Sequence, residues 1–213
     1  MKPLLTALLL LFVTTAFGQE KQKIHDYKTI NPSEWVIPNS GGVSYSLDSY
    51  KGSKALIIRK NFGDYKFGAV AYPKDLKFKD GVIEMDLAST TGQEYLGLAF
   101  RIRDAHHYEC LYFRPASSKT INAVQYMPEK KEEFNWWDYE AEKYQAKATL
   151  PSTEWFHVKA EVKGRTLTIY VDHQPKPVMV YKALDPELKE GFVGFWFGNN
   201  TACAYKNLTV KTY

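Results

Sequence analysis

The sequence predicts an all-β protein, a two-sheet antiparallel sandwich. Apolar and polar residues alternate with a period of two almost everywhere after Ser40, and no segment has a clear helical period of 3.6. Strand-length segments are separated by turns rich in Gly, Asn, Asp and Pro, which is typical of sandwiches. Aromatic residues make up 15% of the chain, a composition that suits strands and wet binding surfaces.

The clearest strand covers residues 94–103. Its even positions from Leu96 to Ile102 are all large and apolar, so we expect them in the core, while Arg101 and Arg103 point to the opposite face. We expect a strand content above about 40%, roughly twice the usual share. The predicted core comprises Leu96, Leu98, Phe100, Ile102, Phe156, Val158, Leu167, Ile169 and Phe195.

The other elements follow from the same alternation. Residues 81–87 form a strand, and residues 156–162 and 167–171 form a hairpin around Lys163-Gly164-Arg165. Further strands are predicted at 43–48, 54–59, 65–72, 107–114, 121–126, 177–181, 191–197 and 204–211. A helix fits only within 129–144 or, as one short turn, at 185–189.

The N-terminus has the pattern of a secretory signal peptide. Lys2 precedes a short leucine-rich stretch, and the small residues Ala16 and Gly18 suit a cleavage site between Gly18 and Gln19. We therefore expect residues 1–18 to be removed, leaving 19–213 as a single exported domain, periplasmic or secreted. The alternative is an uncleaved N-terminal anchor, although the apolar stretch is short for a bilayer span.

Charge and cysteine content limit the partners. The formal charge of +4 comes from interspersed basic and acidic residues, which argues against nucleic acid as a partner. We expect no membrane span and a monomer. Cys110 and Cys203 permit one disulfide or two buried free thiols. His106 and His107 diverge on a strand, and the other histidines lack ligand spacing, so no zinc site or other cofactor is predicted.

Several segments together resemble a known superfamily. They are Gly81-Val82-Ile83-Glu84-Met85-Asp86-Leu87, residues 96–101 and 107–114, Trp155 before the hairpin, Gly191-Phe192-Val193-Gly194, and Asn207-Leu208-Thr209-Val210. This order resembles the concanavalin A-like lectin/glucanase superfamily, in particular its laminin G-like and 3-keto-disaccharide hydrolase (sugar hydrolase-like) domains. The resemblance implies a jelly roll that handles glycans and allows for a structural calcium ion.

The resemblance also suggests a catalytic pair. Family-16 glycoside hydrolases of this fold carry Glu-x-Asp-x-(x)-Glu on a strand, which places the carboxylates on one face. Glu84 and Asp86 match the first two acids, but residues 88–90 are Ala, Ser and Thr. If the protein is an enzyme, Glu84 and Asp86 are its catalytic residues, and Glu109, Asp138 or Glu161 could supply the missing acid. Otherwise the pair is held by neighbours such as Arg101 or Arg103.

A binding face is the second hypothesis. If the strands 81–87, 94–103 and 107–114 are neighbours, their non-core faces bring rings and cations together, which suits sugar recognition. The predicted ligand-binding residues are Tyr95, Arg101, Arg103, Tyr108, Tyr112 and Arg114, joined by Trp136, Trp137 and Tyr139 from the long insertion 115–152. The sequence thus favours an exported carbohydrate-binding domain, with a glycoside hydrolase or a laminin G-like protein-binding or structural module as alternatives.

Overall fold

Two antiparallel sheets packed face to face make up the computed structural model, which describes residues 22–61, 68–93, 95–130, 141–199 and 201–213. The structure is 57% strand and 6% helix, which confirms the predicted all-β sandwich and its high strand content. Residues 1–18, the predicted signal peptide, lie outside the described residues.

The first sheet has eight strands. In chain order they are β1 (Lys23–Tyr27), β3 (Val43–Tyr50), β4 (Ser53–Lys60), β6 (Gly81–Ser89), β11 (Phe156–Lys163), β12 (Thr166–Val171), β13 (Met179–Tyr181) and β15 (Thr201–Thr212). Across the sheet the order is β13-β12-β11-β6-β15-β4-β3, and β1 pairs with the far end of β15. The β11–β12 pairing confirms the predicted hairpin.

The second sheet has seven strands. In chain order they are β2 (Trp35–Val36), β5 (Ala69–Pro73), β7 (Leu96–Asp104), β8 (His107–Phe113), β9 (Val124–Lys130), β10 (Gln145–Ala146) and β14 (Phe192–Phe197). Across the sheet the order is β10-β9-β8-β7-β14-β5-β2. Three 3-10 turns lie at Pro32–Glu34, Pro115–Ser117 and Ile121–Ala123, and the single α-helical turn of the described residues, α1, is Ala141–Tyr144.

Some predicted boundaries were wrong. Residues 121–123 form a 3-10 turn, and the strand predicted at 121–126 runs from Val124 to Lys130 instead. Residues 185–189 are not helical. Of the described residues, none belongs to a helix long and apolar enough to cross a membrane.

The core between the sheets follows the predicted alternation. Leu98, Phe100, Val158, Ile169 and Phe195 are fully buried in one cluster that draws on both sheets. Leu96, Phe156 and Leu167 belong to the same cluster. Burying these apolar side chains stabilises the sandwich by roughly 25 cal/mol for each Å² of apolar surface removed from water.

Ile102 is a correction to the predicted core, because it is buried on the opposite, outer face of the second sheet. The cause is a β-bulge. Arg101 has a φ of 51°, and the pairing of β7 with β8 and with β14 shifts register around it. An extra residue in one strand inverts the alternation beyond it, so Ile102 changes faces and Arg103 leaves the face predicted for it.

Arg101 itself is buried, contrary to its predicted role on a ligand-binding face. Its guanidinium donates hydrogen bonds to the carbonyl oxygens of Lys79, Leu188 and Gly164 at 3.0, 3.1 and 2.7 Å, and to Asp80 Oδ1 at 3.1 Å. These acceptors lie in three separate loops. Arg101 therefore joins the end of the second sheet to the turns of the first.

The predicted neighbourhood of three strands is only partly correct. β7 and β8 pair as expected, but β6 pairs with β11 and β15 in the first sheet. Both hydrogen-bonding edges of β6 are thus occupied, and the chain crosses to the other sheet before β7 begins. Glu84 and Asp86 therefore lie on a different sheet from Tyr108 and Tyr112.

Both cysteines are buried free thiols, the second of the two alternatives. Cys203 lies in the core between the sheets, whereas Cys110 lies in the cluster on the outer face of the second sheet. The second sheet therefore lies between the two thiols and keeps them apart. Burial, with the charge of Glu129 nearby, raises the pKa of the Cys110 thiol well above its ordinary value, so the thiol is protonated and unreactive.

Glu109 is buried between the sheets rather than exposed at a site. Its carboxylate accepts hydrogen bonds from the Tyr126 hydroxyl at 2.6 Å and from the Asp185 backbone N–H at 3.0 Å. Burial raises the pKa of Glu109 to about 7, against the opposing effects of the Tyr126 hydrogen bond and the Arg101 charge. Its position within the sandwich makes it unsuitable as the missing catalytic acid.

We expect Arg101→Met to lower the free energy of unfolding by about 3 kcal/mol, because a buried ion pair and three carbonyl oxygens lose their donor. Urea unfolding measures the change. Arg103→Met is the matched control: Arg103 is exposed on the same strand, and its loss should change stability by less than about 0.5 kcal/mol. Equal, small effects of both substitutions would show that the Arg101 contacts do not stabilise the fold.

The raised pKa of Glu109 predicts that the stability of the fold depends on pH. This pKa is higher in the folded protein than in the unfolded chain, so the folded state binds more protons between about pH 4.5 and 7. Stability should therefore fall as pH rises through this window, by on the order of 3 kcal/mol. Below about pH 6.5, where the raised pKa of His157 does not yet contribute, Glu109→Gln should abolish that slope in urea unfolding, whereas Glu161→Gln at the surface should retain it. A slope that persists in Glu109→Gln would assign it to another group.

Candidate functional site

A second apolar cluster covers the outer face of the second sheet. Its buried members are Val70, Ala99, Ile102, Tyr108, Cys110, Tyr112, Met127 and Trp196, with Tyr72 and Phe192 packed against them. A sandwich sheet that faces only water is polar at such positions. These residues are buried, so the cluster forms a second packed layer on the outer side of the sheet, and only its rim can meet a ligand. We call this outer side the aromatic face, after Tyr95, Tyr108, Tyr112 and Trp196.

One row of side chains crosses the aromatic face. Strand register places Gln145, Gln125, Tyr112, Gly97 and Trp196 side by side on β10, β9, β8, β7 and β14. The Tyr112 and Trp196 rings stack with centroids 5.0 Å apart and planes at 27°. They meet across Gly97, where an added Cβ would lie 2.0 Å from the Leu111 carbonyl oxygen, so glycine is required there.

The orientation of Trp196 is fixed from two sides. Its indole Nε1–H donates a hydrogen bond to the Tyr108 hydroxyl at 3.1 Å. The indole also lies against the backbone of Gly68, where a Cβ would be only 2.2 Å from Nε1. Trp196 is 4% exposed, so it forms the base of the face rather than its open surface.

Tyr95 and Arg114 form the open rim of the face. Tyr95 is 37% exposed and contacts Tyr112 edge-on, with ring centroids 5.9 Å apart. The Arg114 guanidinium lies 5.0 Å from the centroid of the Tyr95 ring, a cation–π geometry. Among the described residues, the Arg114 backbone N–H donates to the Ala123 carbonyl oxygen, but no acceptor takes a hydrogen bond from the guanidinium. A half-buried guanidinium is thus held in place by an aromatic ring, with its donors unused.

Polar groups lie beside the rings. Glu129 is buried directly across from Tyr108 in the β8–β9 pairing. Burial, reinforced by the Glu129 charge, raises the pKa of the Tyr108 hydroxyl well above its ordinary value, so the hydroxyl stays protonated. Gln125 is 4% exposed. The face therefore combines aromatic rings with a carboxylate, an amide and a guanidinium.

Sequence reasoning missed Trp196, Gln125 and Glu129. Continued alternation could have found all three: Phe195 and Tyr126 point into the core, so Trp196 and Gln125 point outward. Glu129 lies on the same face as Gln125, but the strand was predicted to end at residue 126.

The predicted ligand-binding residues divide into three groups. The structure brings Tyr95, Tyr108, Tyr112 and Arg114 together, although Tyr108 and Tyr112 are buried in the base of the face. Arg101 is occupied by backbone carbonyls, and Arg103 is exposed beyond the bulge. Trp136, Trp137 and Tyr139 lie outside the described residues, as does Asp138.

Glu84 and Asp86 share one face of β6, as predicted, on the outer side of the first sheet. Their partner is His157 of β11 rather than an arginine: its Nδ1 lies 2.9 Å from Asp86 Oδ1, and its Nε2 lies 3.5 Å from Glu84 Oε2. Asn207 donates a hydrogen bond to Asp86 Oδ2 at 2.6 Å. The His173 ring stacks on His157 with centroids 4.1 Å apart.

This arrangement favours an ion pair over acid catalysis. Burial acts to raise the pKa of Asp86, but hydrogen bonds from His157 and Asn207 outweigh it and hold the pKa below its ordinary value. The Asp86 hydrogen bond and charge raise the pKa of His157. A general acid needs a raised carboxyl pKa, and Asp86 has the opposite shift. Glu161, another candidate acid, is paired with Lys159 at 2.7 Å.

A cavity of about 480 Å³ lies elsewhere, at the edge of the first sheet. It opens where β1 and β4 meet the same edge of β15, and its lining includes Lys28, Lys54, Lys206 and Asp48 above Ile30 and Tyr205. Lys206 is held there by Ser53 Oγ at 2.9 Å. The cavity is separate from the aromatic face, which lies on the other sheet.

The described part of the chain contains no group of three or more His, Cys, Asp or Glu side chains placed to hold a metal ion. A structural calcium ion stays a prediction of the resemblance alone.

Solved structures share this fold at low sequence identity. The Bacillus subtilis carbohydrate-binding module CBM66 aligns with a TM-score of 0.55 and 16% identity, over 81% of this chain and 97% of the module. A Bacillus subtilis protein of unknown function with a galectin-like fold gives a TM-score of 0.61 and 15% identity, over 87% and 94% of the two chains. Part of the GH43 protein BlXynB from Bacillus licheniformis, 39% of that chain, aligns with 89% of this one at a TM-score of 0.57 and 11% identity.

No family model and no curated protein matches the sequence. The structural matches show that the chain has a galectin-like jelly-roll fold, which agrees with the predicted fold class. At these identities the likeness concerns the fold, and function rests on the residues of the site.

The Asp86–His157 ion pair on the first sheet can be tested by substitution. We expect Asp86→Asn to lower the pKa of His157 toward its ordinary value of 6.5, because the main group that stabilises the imidazolium loses its charge. NMR titration of the His157 ring measures the change. Glu84→Gln should have a smaller effect, since Glu84 is 3.5 Å from Nε2. An unchanged titration in Asp86→Asn would contradict the assigned pairing.

Proposed function

We propose that this protein binds glycans through the aromatic face of its second sheet. The observation that carries the proposal is the rim formed by Tyr95 and Arg114 next to the Tyr112–Trp196 stack. Sugar recognition needs flat rings to contact C–H faces and planar polar groups to bind hydroxyls or carboxylates. This rim supplies both kinds of group on one surface.

The rim is held by a chain of contacts within the protein. Arg114 is positioned by the Tyr95 ring, which in turn contacts Tyr112, and Trp196 supports Tyr112 from below. Side chains fixed in this way lose little conformational freedom on binding, which favours affinity. The unused donors of Arg114 gain partners when a ligand arrives.

The comparisons support this proposal at the level of the fold. One aligned structure is a carbohydrate-binding module, and another is a GH43 protein. The predicted export of the chain, to the periplasm or outside the cell, is consistent with contact with extracellular polysaccharides. Binding is the part of the proposal that the aromatic face supports directly.

Hydrolysis is less well supported. A glycosidase of the family-16 type needs its acids on the face that holds the sugar. Glu84 and Asp86 lie on the other sheet, and Asp86 is engaged by His157 and Asn207. Glu129 is the carboxylate beside the rings, and a second acid facing it would be required. We therefore propose binding without cleavage.

The proposal predicts the effect of changing the rim. We expect Tyr95→Ala and Arg114→Met each to weaken binding by about 10- to 100-fold, through a lost ring contact or lost charged hydrogen bonds. A glycan array identifies the bound sugar, and isothermal titration measures its affinity. Both residues are outside the main core, so melting temperatures should change little.

Matched controls separate this face from other surfaces. Tyr170→Ala and Arg59→Met alter the same residue types on the first sheet, and Lys54→Ala alters the cavity there; all three should bind normally. Binding lost in Lys54→Ala but kept in Arg114→Met would move the site to the cavity and contradict the proposal. If the wild type releases reducing sugar from the bound glycan and Glu84→Gln does not, the protein hydrolyses the glycan, and the proposal of binding without cleavage is wrong.

A further inference from the structure

Two glutamines at one end of the aromatic face have unsatisfied side chains. The Oε1 atoms of Gln125 and Gln145 are both buried, and neither has a hydrogen-bond partner among the described residues. Buried side-chain polar atoms nearly always have a partner in folded proteins, because an unsatisfied one loses its hydration without compensation. Two such atoms at one place therefore require an explanation.

The two residues are direct neighbours. Gln145 of β10 pairs with Gln125 of β9, and directly opposed side chains in an antiparallel pair have Cβ atoms about 4.5–5.5 Å apart. The adjacent Val124 and Ala146 point into the core, so both glutamines point to the outer face. The structure thus places two acceptor groups together on one surface.

The pair continues the row that holds the aromatic stack. Gln125 lies opposite Tyr112 in the β8–β9 pairing, and Tyr112 stacks on Trp196. A group that contacts the Tyr112 edge of the stack would lie within reach of Gln125. Gln145 lies on the edge strand and is only half-buried, so part of its side chain is exposed at the side of the sheet.

We propose that Gln125 and Gln145 form a subsite that recognises two adjacent hydroxyl groups of one sugar ring. The inference rests on the proposed glycan-binding function and adds its specificity-determining residues. A pair of neighbouring hydroxyls presents two donors on one side of a ring, which matches two neighbouring acceptors. Hydroxyls also accept hydrogen bonds, so the match holds whichever way each amide is turned.

The proposal makes opposite predictions for stability and for binding. Methionine has a shape similar to glutamine but no group that requires hydration. Gln125→Met and Gln145→Met should therefore leave melting temperature unchanged or raise it by about 2–4 °C, since a buried unsatisfied group is removed. The same substitutions should weaken sugar binding by about tenfold each. A residue with a purely structural role would lower stability instead.

The probes are the methyl glycosides of glucose, galactose, mannose and xylose, together with monodeoxy forms of whichever binds. Removing one of the recognised hydroxyls should weaken binding to the wild type about tenfold, and the loss should be much smaller in the Gln125→Met Gln145→Met double variant. Gln174→Met, at an exposed turn, is the control and should alter neither stability nor affinity.

The outcomes separate this inference from the function on which it rests. If Tyr95→Ala abolishes binding while the glutamine variants bind normally, the glycan site stands and the subsite is wrong. A lower melting temperature in Gln125→Met, with unchanged affinity, would show that the amides have structural partners, such as bound water. If no sugar binds to the wild type, both proposals fail.

Discussion

Arg101 provides the contact on which the relation between the two sheets depends. A β-bulge puts this residue in a left-handed backbone conformation, and its guanidinium then binds Asp80 and the carbonyl oxygens of three loops. The loops belong to the start of β6, the β11–β12 turn and the segment before β14. One buried cation thus fixes the turns of the first sheet relative to the central strands of the second. The bulge also inverts the alternation, which moves Ile102 onto the aromatic face.

The second sheet buries apolar side chains on both of its sides. Its inner face forms the common core, while its outer face collects stacked rings around Gly97 and Gly68. Glycines are required there because a side chain would collide with the Leu111 carbonyl or with the Trp196 indole. Rigid backbone beneath the rings produces a preformed surface, with Tyr95 and Arg114 left at its rim. Binding on such a surface needs little rearrangement.

The outer face of the first sheet carries both a small apolar cluster, around Ala88 and Ala204, and a group of charged side chains. Glu84, Asp86, His157 and Asn207 contact one another there, so both carboxylates have partners within the protein. Gln125 lies on the other sheet, and its side-chain Oε1 has no hydrogen-bond partner among the described residues. Satisfied polar groups stabilise a surface, whereas a buried unsatisfied group requires an explanation such as a bound ligand. This contrast, rather than the presence of paired carboxylates, distinguishes the two candidate sites.

The alternation of residues was sufficient to determine the all-β class, most strands, the β11–β12 hairpin and the core around Leu98 and Phe195, because the period of two is a local property of the chain. It also placed Tyr95, Tyr112 and Arg114 on one surface, since they lie on or next to two strands that are consecutive and paired. Only the tertiary structure decided that β6 belongs to the other sheet, that His157 is the partner of Asp86, and that Trp196 and Gln125 complete the aromatic face. Strand pairing between distant segments depends on which hydrogen-bonding edges remain free when the sheets assemble, and a single bulged residue such as Arg101 reverses the faces beyond it.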